Sequence, residues 1–232
     1  MDTKTELGGA IDAWRASGDP RPPSDVTLDA LYDQRIELLL AGRSGLARAT
    51  LRLVPARIAR QAQTNLTANR ELSRLTPLSH RRRFRTGPAL PPATLLDYYQ
   101  AAEHRFGVRW NVLAAVNFVE SAFNKLRNSS ATGAQGPMQF MLATWRAYGL
   151  GGDVRDPRDA ILGAANYLHA NGAPRDNRLA LLRYNPSPLY VDAVLRYARE
   201  IRVDRRAFDE YYARQVFVHT RSGLRRITGP GL

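Results

Sequence analysis

Apolar residues recur three and four positions apart along most of this chain, and alternation is confined to its C-terminal end. Such spacing puts an apolar face on each of a series of helices, with no repeated strand–helix unit and no internal repeat. The predicted fold is therefore mainly α. Residues 25–42 carry Leu28, Leu31, Tyr32, Ile36, Leu39 and Leu40 near helical spacing, with Gly42 as the stop. A second helical stretch runs from Leu46 through Leu51, Leu53 and Ile58 towards Leu72 and Leu75, and Pro55 either kinks it or starts a new segment. Leu95, Tyr98, Tyr99 and Ala102 mark another helix, and residues 109–121 a further one after Gly107. Residues 128–137, polar and Gly-rich, read as a loop, and 138–148 as a short helix. Asp156 caps the next helix, Pro157 suits its first turn, and Asp159 favours the positive end of its dipole. That helix runs to about His169, with Gly172 as its stop. Residues 178–184 form one more helix, broken at Asn185-Pro186, and 190–201 another. Val216, Val218 and Thr220 alternate with Phe217 and His219, and Arg221-Ser222-Gly223 would close a small hairpin.

Composition narrows the chemistry. The 232 residues include no Cys, which rules out disulfides, thiolate catalysis and Cys-ligated metals. The four His are scattered with no HExxH, so neither a metal nor another cofactor is expected. Asp153, Asp156 and Asp159 are interrupted by Arg155 and Arg158, which suits helix capping better than a calcium loop. The most apolar run, 112–119, is far shorter than the roughly 20 residues of a membrane span. The first ten residues lack the basic start and apolar stretch of a secretory leader, so the chain is either intracellular or a processed form.

The net charge of +13 is uneven: residues 42–85 hold eleven Arg against the single acid Glu71. Such density would draw a polyanion. Because Lys occurs only at 4 and 125, codon bias in a GC-rich genome explains the excess of Arg more simply. Nucleic acid is not expected as a partner, since the cluster lacks interleaved aromatics or a recognisable motif.

Glu120 ends the most apolar helix and leads through Ser121-Ala122-Phe123 into a polar loop. A carboxyl group at such a place is partly desolvated, which raises its pKa and suits it to general acid work. Taken alone, a solvated helix end accounts for it more simply.

Its surroundings change that balance. Glu120-Ser121, then Gly133-Ala134-Gln135-Gly136, then Met138-Gln139, Asn166-Tyr167-Leu168 and finally Arg183-Tyr184-Asn185-Pro186-Ser187 follow in order. Together they resemble the catalytic core of the lytic transglycosylases, lysozyme-like enzymes that cut peptidoglycan strands. The likeness spans about residues 95–200, and the Gly-Pro-Met-Gln-Phe detail looks closest to the actinobacterial branch. It implies a lysozyme-like domain over 86–200; the sequence pattern itself sets apart a helical N-terminal region over 1–85, Arg-rich from 42, and a basic C-terminal extension over 201–232. The stretch 80–94 would link the first two.

The resemblance implies Glu120 as the catalytic residue, acting as acid and then base. It implies that Ser121 hydrogen-bonds Glu120 or the muramyl sugar, and that Gln139 binds sugar with Met138 supporting it. Tyr184 would face the positive charge developing at the anomeric carbon, and Asn185 would orient its neighbours or substrate. Asn166 and Tyr167 would face substrate too, although Asn166 reads equally as a helix-surface residue and Tyr167 as core. Two departures bear on subsite preference: Pro137 stands where Leu is commoner and stiffens the start of the next helix, and Pro186-Ser187 replaces Ala-Gly.

The implied partner is peptidoglycan, with anionic wall polymers as a second partner for the Arg-rich face, which otherwise is an ordinary solvated surface. The implied location is outside the membrane, in the wall or secreted. Two alternatives stay open. A goose-type lysozyme-like hydrolase would need a second acid, for which Asp153 is the candidate. A non-catalytic wall-binding protein with an inactive lysozyme-like domain would need none.

Overall fold

A computed structural model describes residues 3–76, 78–79 and 83–231. Positions 80–82, at the start of the expected linker, lie outside the described residues. The N-terminal region folds as α1 (Thr3–Ser17), α2 (Ser24–Ala41), α3 (Ser44–Leu51) and α4 (Ala56–Leu75). Pro55 does start a new helix, since it sits at the N-cap of α4.

The next seven helices are α5 (Pro92–Phe106), α6 (Trp110–Ser121), α7 (Leu142–Tyr148), α8 (Pro157–Ala170), α9 (Asn177–Tyr184), α10 (Pro188–Val203) and α11 (Arg206–Ala213). The hairpin pairs β1 (Phe217–Thr220) with β2 (Gly223–Arg226) antiparallel, Thr220 opposite Gly223. The fold is thus mainly α, as the apolar spacing predicts. Among the described residues no helix is long and apolar enough to cross a membrane.

Local chemistry sets the helix ends around the site. Gly107 closes α5 in a left-handed conformation (φ 73°), with its N–H on Glu103 O at 2.7 Å. The Glu103 carboxylate then accepts Trp110 N–H at 2.9 Å and caps α6. Asp156 accepts from Arg158 N and Asp159 N, with Pro157 in the first turn of α8. Ser187 caps α10 by accepting Tyr190 N–H at 3.4 Å, with Pro188 first in that helix.

One core runs through both halves of the chain. Leu7, Ile11 and Trp14 of α1 and Val26 of α2 share it with Tyr99, Leu113, Val194, Tyr197 and Phe208. α10 packs on α4 on one side and on α6 on the other, so the N-terminal helices buttress the element that reaches the site. α11 also lies inside: Phe208, Asp209, Glu210, Tyr211 and Tyr212 are all buried. Glu210 survives burial because Lys4 Nζ meets it at 2.7 Å and Asp33 at 2.9 Å, while Arg214 meets both Glu37 and Glu210 at 2.7 Å; Asp209 has Arg15 at 3.6 Å. The carboxylates of Asp33, Glu37 and Glu210 converge, but these two cations already sit among them.

The segment 138–148 departs from expectation. α7 begins at Leu142, and 136–139 form a turn closed by paired hydrogen bonds between Gln135 and Phe140 (2.9 and 2.8 Å). Met138 and Gln139 therefore do not open a helix, and Pro137 stiffens a turn instead.

Candidate active site

α6 is apolar on nearly every side and is packed on nearly every side, which leaves its last turn to carry the polar group. Glu120 stands in that turn, half-buried. Immediately beyond it Ala122, Phe123 and Asn124 all take left-handed backbone (φ 49°, 60° and 67°). Non-glycine residues there cost about 1–2 kcal/mol each. Two local features offset that strain. Phe123 is fully buried, stacked on Phe118 and edge-on to Phe208, each at 5.6 Å. Ser121 Oγ donates to Pro137 O at 2.6 Å and accepts Asn124 N–H at 2.9 Å.

Ser121 thus corrects an expectation. It is 2% exposed and turned into the protein, where it ties the end of α6 to the 136–139 turn rather than touching Glu120 or a sugar. Asn117, one turn earlier, joins the same knot: it donates to Pro137 O at 2.9 Å and accepts from Tyr99 OH at 2.6 Å. Gly136 is required in that turn, because its φ is 75° and a Cβ there would collide with the Val154 carbonyl.

Met138 lies in the core, a position compatible with a supporting part. Its side chain is fully buried, and its carbonyl accepts Tyr184 OH at 2.6 Å. Gln139 holds a left-handed conformation (φ 49°), and its amide donates to Gly136 O (3.0 Å) and Asn128 O (3.3 Å). Tyr167 OH donates to Arg183 O at 2.7 Å, and Asn166 Nδ2 to Tyr148 O at 3.0 Å. Tyr148, Tyr167, Tyr184, Phe140 and Trp145 form a continuous edge-to-face wall with centroids 4.9 to 5.7 Å apart. Asn185 lies half-buried in the short turn between α9 and α10.

The residue that the sequence did not disclose is Tyr190. Its hydroxyl donates to Glu120 Oε1 at 2.7 Å. The signal was present in Ser187-Pro188, which fix the start of α10 and place Tyr190 on the buried stripe with Val194, Tyr197 and Ile201. Burial pushes the Glu120 carboxyl up to about 7, and the Tyr190 hydrogen bond opposes part of that rise. Tyr184 and Tyr190 are themselves held well above the ordinary phenol range, first by burial and then by the nearby Glu120, so both stay neutral donors. Asp153 is engaged in its own loop, accepting Arg155 N–H at 2.9 Å. A cavity of about 800 Å³ lies elsewhere, between α4 and α10, where Arg57 pairs with Asp204 and Arg178 with Asp192.

The arrangement is a carboxyl group raised by burial and hydrogen-bonded by Tyr190, with Tyr184 nearby in an aromatic wall. Residues 97–202 match the family model described as the transglycosylase SLT domain. The chain is also 32% identical over 155 residues to the membrane-bound lytic murein transglycosylase F of Thiobacillus denitrificans. That alignment takes in 63% of this chain and 32% of the relative, so the chain spans about a third of that protein's length. No solved structure matches the chain. The segment that builds the Glu120 site is thus the segment that is similar to the transglycosylase SLT domain.

Proposed function

We propose that this protein is a peptidoglycan lytic transglycosylase that cleaves the β-1,4 bond between N-acetylmuramic acid and N-acetylglucosamine and leaves a 1,6-anhydromuramyl end. The observation that carries this reading is Glu120, a carboxyl pushed up to about 7, whose close titratable neighbours among the described residues are the phenols of Tyr190 and Tyr184. Hydrolysing glycosidases generally work with two carboxyl groups. A transglycosylase works with one.

In the first step the protonated Glu120 gives its proton to the glycosidic oxygen as the C1–O bond breaks, and the N-acetylglucosamine-terminated fragment leaves with that proton. The muramyl 6-hydroxyl then attacks C1 and gives its proton to the Glu120 carboxylate. The acid is regenerated and no water is consumed. The nucleophile belongs to the substrate, which confers the advantage of proximity. Tyr190 acts at both stages: its hydrogen bond stabilises the carboxylate produced by the first step and is displaced in part when the proton returns. Tyr184, fixed by Met138 O, lies within electrostatic reach of Glu120 and faces the charge developing at C1. Gln139, Asn166, Tyr167 and Asn185 form the surrounding wall for sugar hydroxyls and amides, while Ser121 and Met138 hold that wall in register.

The substrate places the reaction outside the membrane, in the wall or as a secreted activity. Arg196, at the α4–α10 groove, is already met by Glu71 (3.2 Å) and Arg57 by Asp204 (2.7 Å), so the described basic face is partly neutralised from within.

Mass spectrometry of soluble fragments from purified peptidoglycan tests the reading. Wild type is expected to release muropeptides one water lighter than hydrolysis products, and Glu120→Gln none. Reducing-end products from wild type would instead make it a hydrolase and require a second carboxyl group.

A further inference from the structure

A cavity of about 550 Å³ opens where five separate parts of the chain meet, and neither Glu120, Gln139, Tyr184 nor Tyr190 lines it. Arg21, exposed, stands at its rim, and Lys125, five residues beyond Glu120, lies within. Thr27, Thr86 and Thr228 contribute hydroxyls, and Pro22, Pro88 and Ile227 contribute apolar surface. Among the described lining residues there is no Asp or Glu.

Lys125 is what makes this cavity unusual. Its ammonium donates to the carbonyl oxygens of Tyr212 and Arg214, the latter at 2.7 Å, and lies 5.1 Å from the Tyr212 ring. All three partners are formally neutral. The other buried cations are treated differently: Lys4 has Glu210 and Asp33, and Arg214 has Glu37 and Glu210. Desolvating an ammonium without a countercharge is costly, and burial alone pushes Lys125 down to about 7. A cavity that presents Arg21, a lysine whose protonated form lacks a countercharge, several hydroxyls and no acid has the chemistry to receive a negative group, whose arrival would favour the protonated lysine.

We propose that this cavity is a binding site for a small organic anion, whose carboxylate or phosphate sits between Lys125 and Arg21 and whose neutral body lies along the 86–89 segment. Two sources carry that chemistry: the free carboxylate end of a short peptide, and a phosphate monoester. The site is wired to the catalytic helix through backbone bonds. Gly87 N–H donates to Lys125 O at 3.1 Å and Arg127 N–H to Arg85 O at 2.8 Å, so an occupant of the 86–89 wall touches the chain that leaves Glu120. The proposal does not depend on the glycan reaction.

Calorimetric titration of the full chain tests it, with acetyl-D-alanyl-D-alanine and glycerol 1-phosphate as the two probes and acetyl-D-alanyl-D-alanine amide as the uncharged control. One saturable site is expected for at least one anionic probe and none for the amide. The probe that saturates identifies the source. Arg21→Ser, at an exposed position, and Lys125→Met are each expected to weaken that binding about tenfold or more, as loss of a charged hydrogen-bonding partner does. If Lys125→Met fails to fold, Arg21→Ser decides. Failure of both probes to saturate with wild type, or unchanged affinity in Arg21→Ser, would overturn the proposal.

Discussion

Glu120 in the SLT segment and Glu37 in the junction of α2 with α11 are both pushed up to about 7, and burial is the leading cause in each. Their surroundings differ in kind. Glu37 is 3% exposed and enclosed by charge: Arg214 lies 2.7 Å away, Lys4 3.9 Å away, and Asp33 and Glu210 crowd it from the acidic side. Glu120 is half-buried and meets one neutral phenol. A displaced pKa therefore does not by itself mark chemistry. In the junction the proton's affinity is a by-product of packing three acids around two cations. At Glu120 the carboxyl remains free to give up a proton and to take one back, because no cation holds it in the charged form.

Substitutions should separate the two regions. The largest expected effect is on activity: Glu120→Gln lowers the rate of fragment release by about 10²–10⁴-fold, the usual worth of a general acid, with an unchanged circular dichroism spectrum. Arg214→Met should do the reverse. By leaving Lys4, among the described residues, as the one close cation for both Glu37 and Glu210 it should cost about 3–5 kcal/mol in urea unfolding, while any activity that the folded fraction retains keeps the wild-type pH profile. Loss of stability in Glu120→Gln comparable to that in Arg214→Met would erase the distinction between the regions.

Tyr190→Phe sharpens the comparison from inside the site. The Tyr190 hydrogen bond favours the carboxylate, so its removal raises the Glu120 pKa further and moves the alkaline limb of the activity profile to higher pH. Its stability cost should be about 1 kcal/mol. The smallest effect is in the pH dependence of folding. A carboxyl whose folded pKa lies above its unfolded value binds more protons when folded, so its contribution to stability falls as pH rises from about 4.5 to about 7. Glu120→Gln should reduce the wild-type slope over that window by this one group's share, the part owed to Glu37 and Asp209 remaining, measured as unfolding midpoints at successive pH values.

Much of this was legible in the sequence wherever the determinant is local. The apolar spacing of α5 and α6, the stop at Gly107 and the Asp156-Pro157 start of α8 each depend on residues within a few positions of one another. The place of Glu120 at the end of an apolar helix was legible for the same reason, and Tyr184 of the downstream motifs lies within its electrostatic reach. What escaped depends on distant partners. α11 reads as a polar, charged stretch until Lys4 and Glu37 are brought to Glu210 and Arg214. α1 contains Gly8-Gly9 in its middle, which weakens helix propensity, and it stands because Leu7, Ile11 and Trp14 enter the core. The late start of α7 follows from the Gln135–Phe140 pairing and from the contact of Gly136 with Val154 O. Ser121 and Met138 face inward for the same reason: the turn they brace is made by contacts across the loop.

The most direct test of a single carboxyl acting as acid and base is the titration of Glu120 itself. Its side-chain carboxyl carbon can be followed by NMR in wild type and assigned by its loss in Glu120→Gln, alongside the pH dependence of fragment release. The account predicts a Glu120 midpoint near 7 and an alkaline limb of activity at the same pH. A midpoint near the ordinary value of about 4.5, with activity undiminished through pH 8, would contradict it.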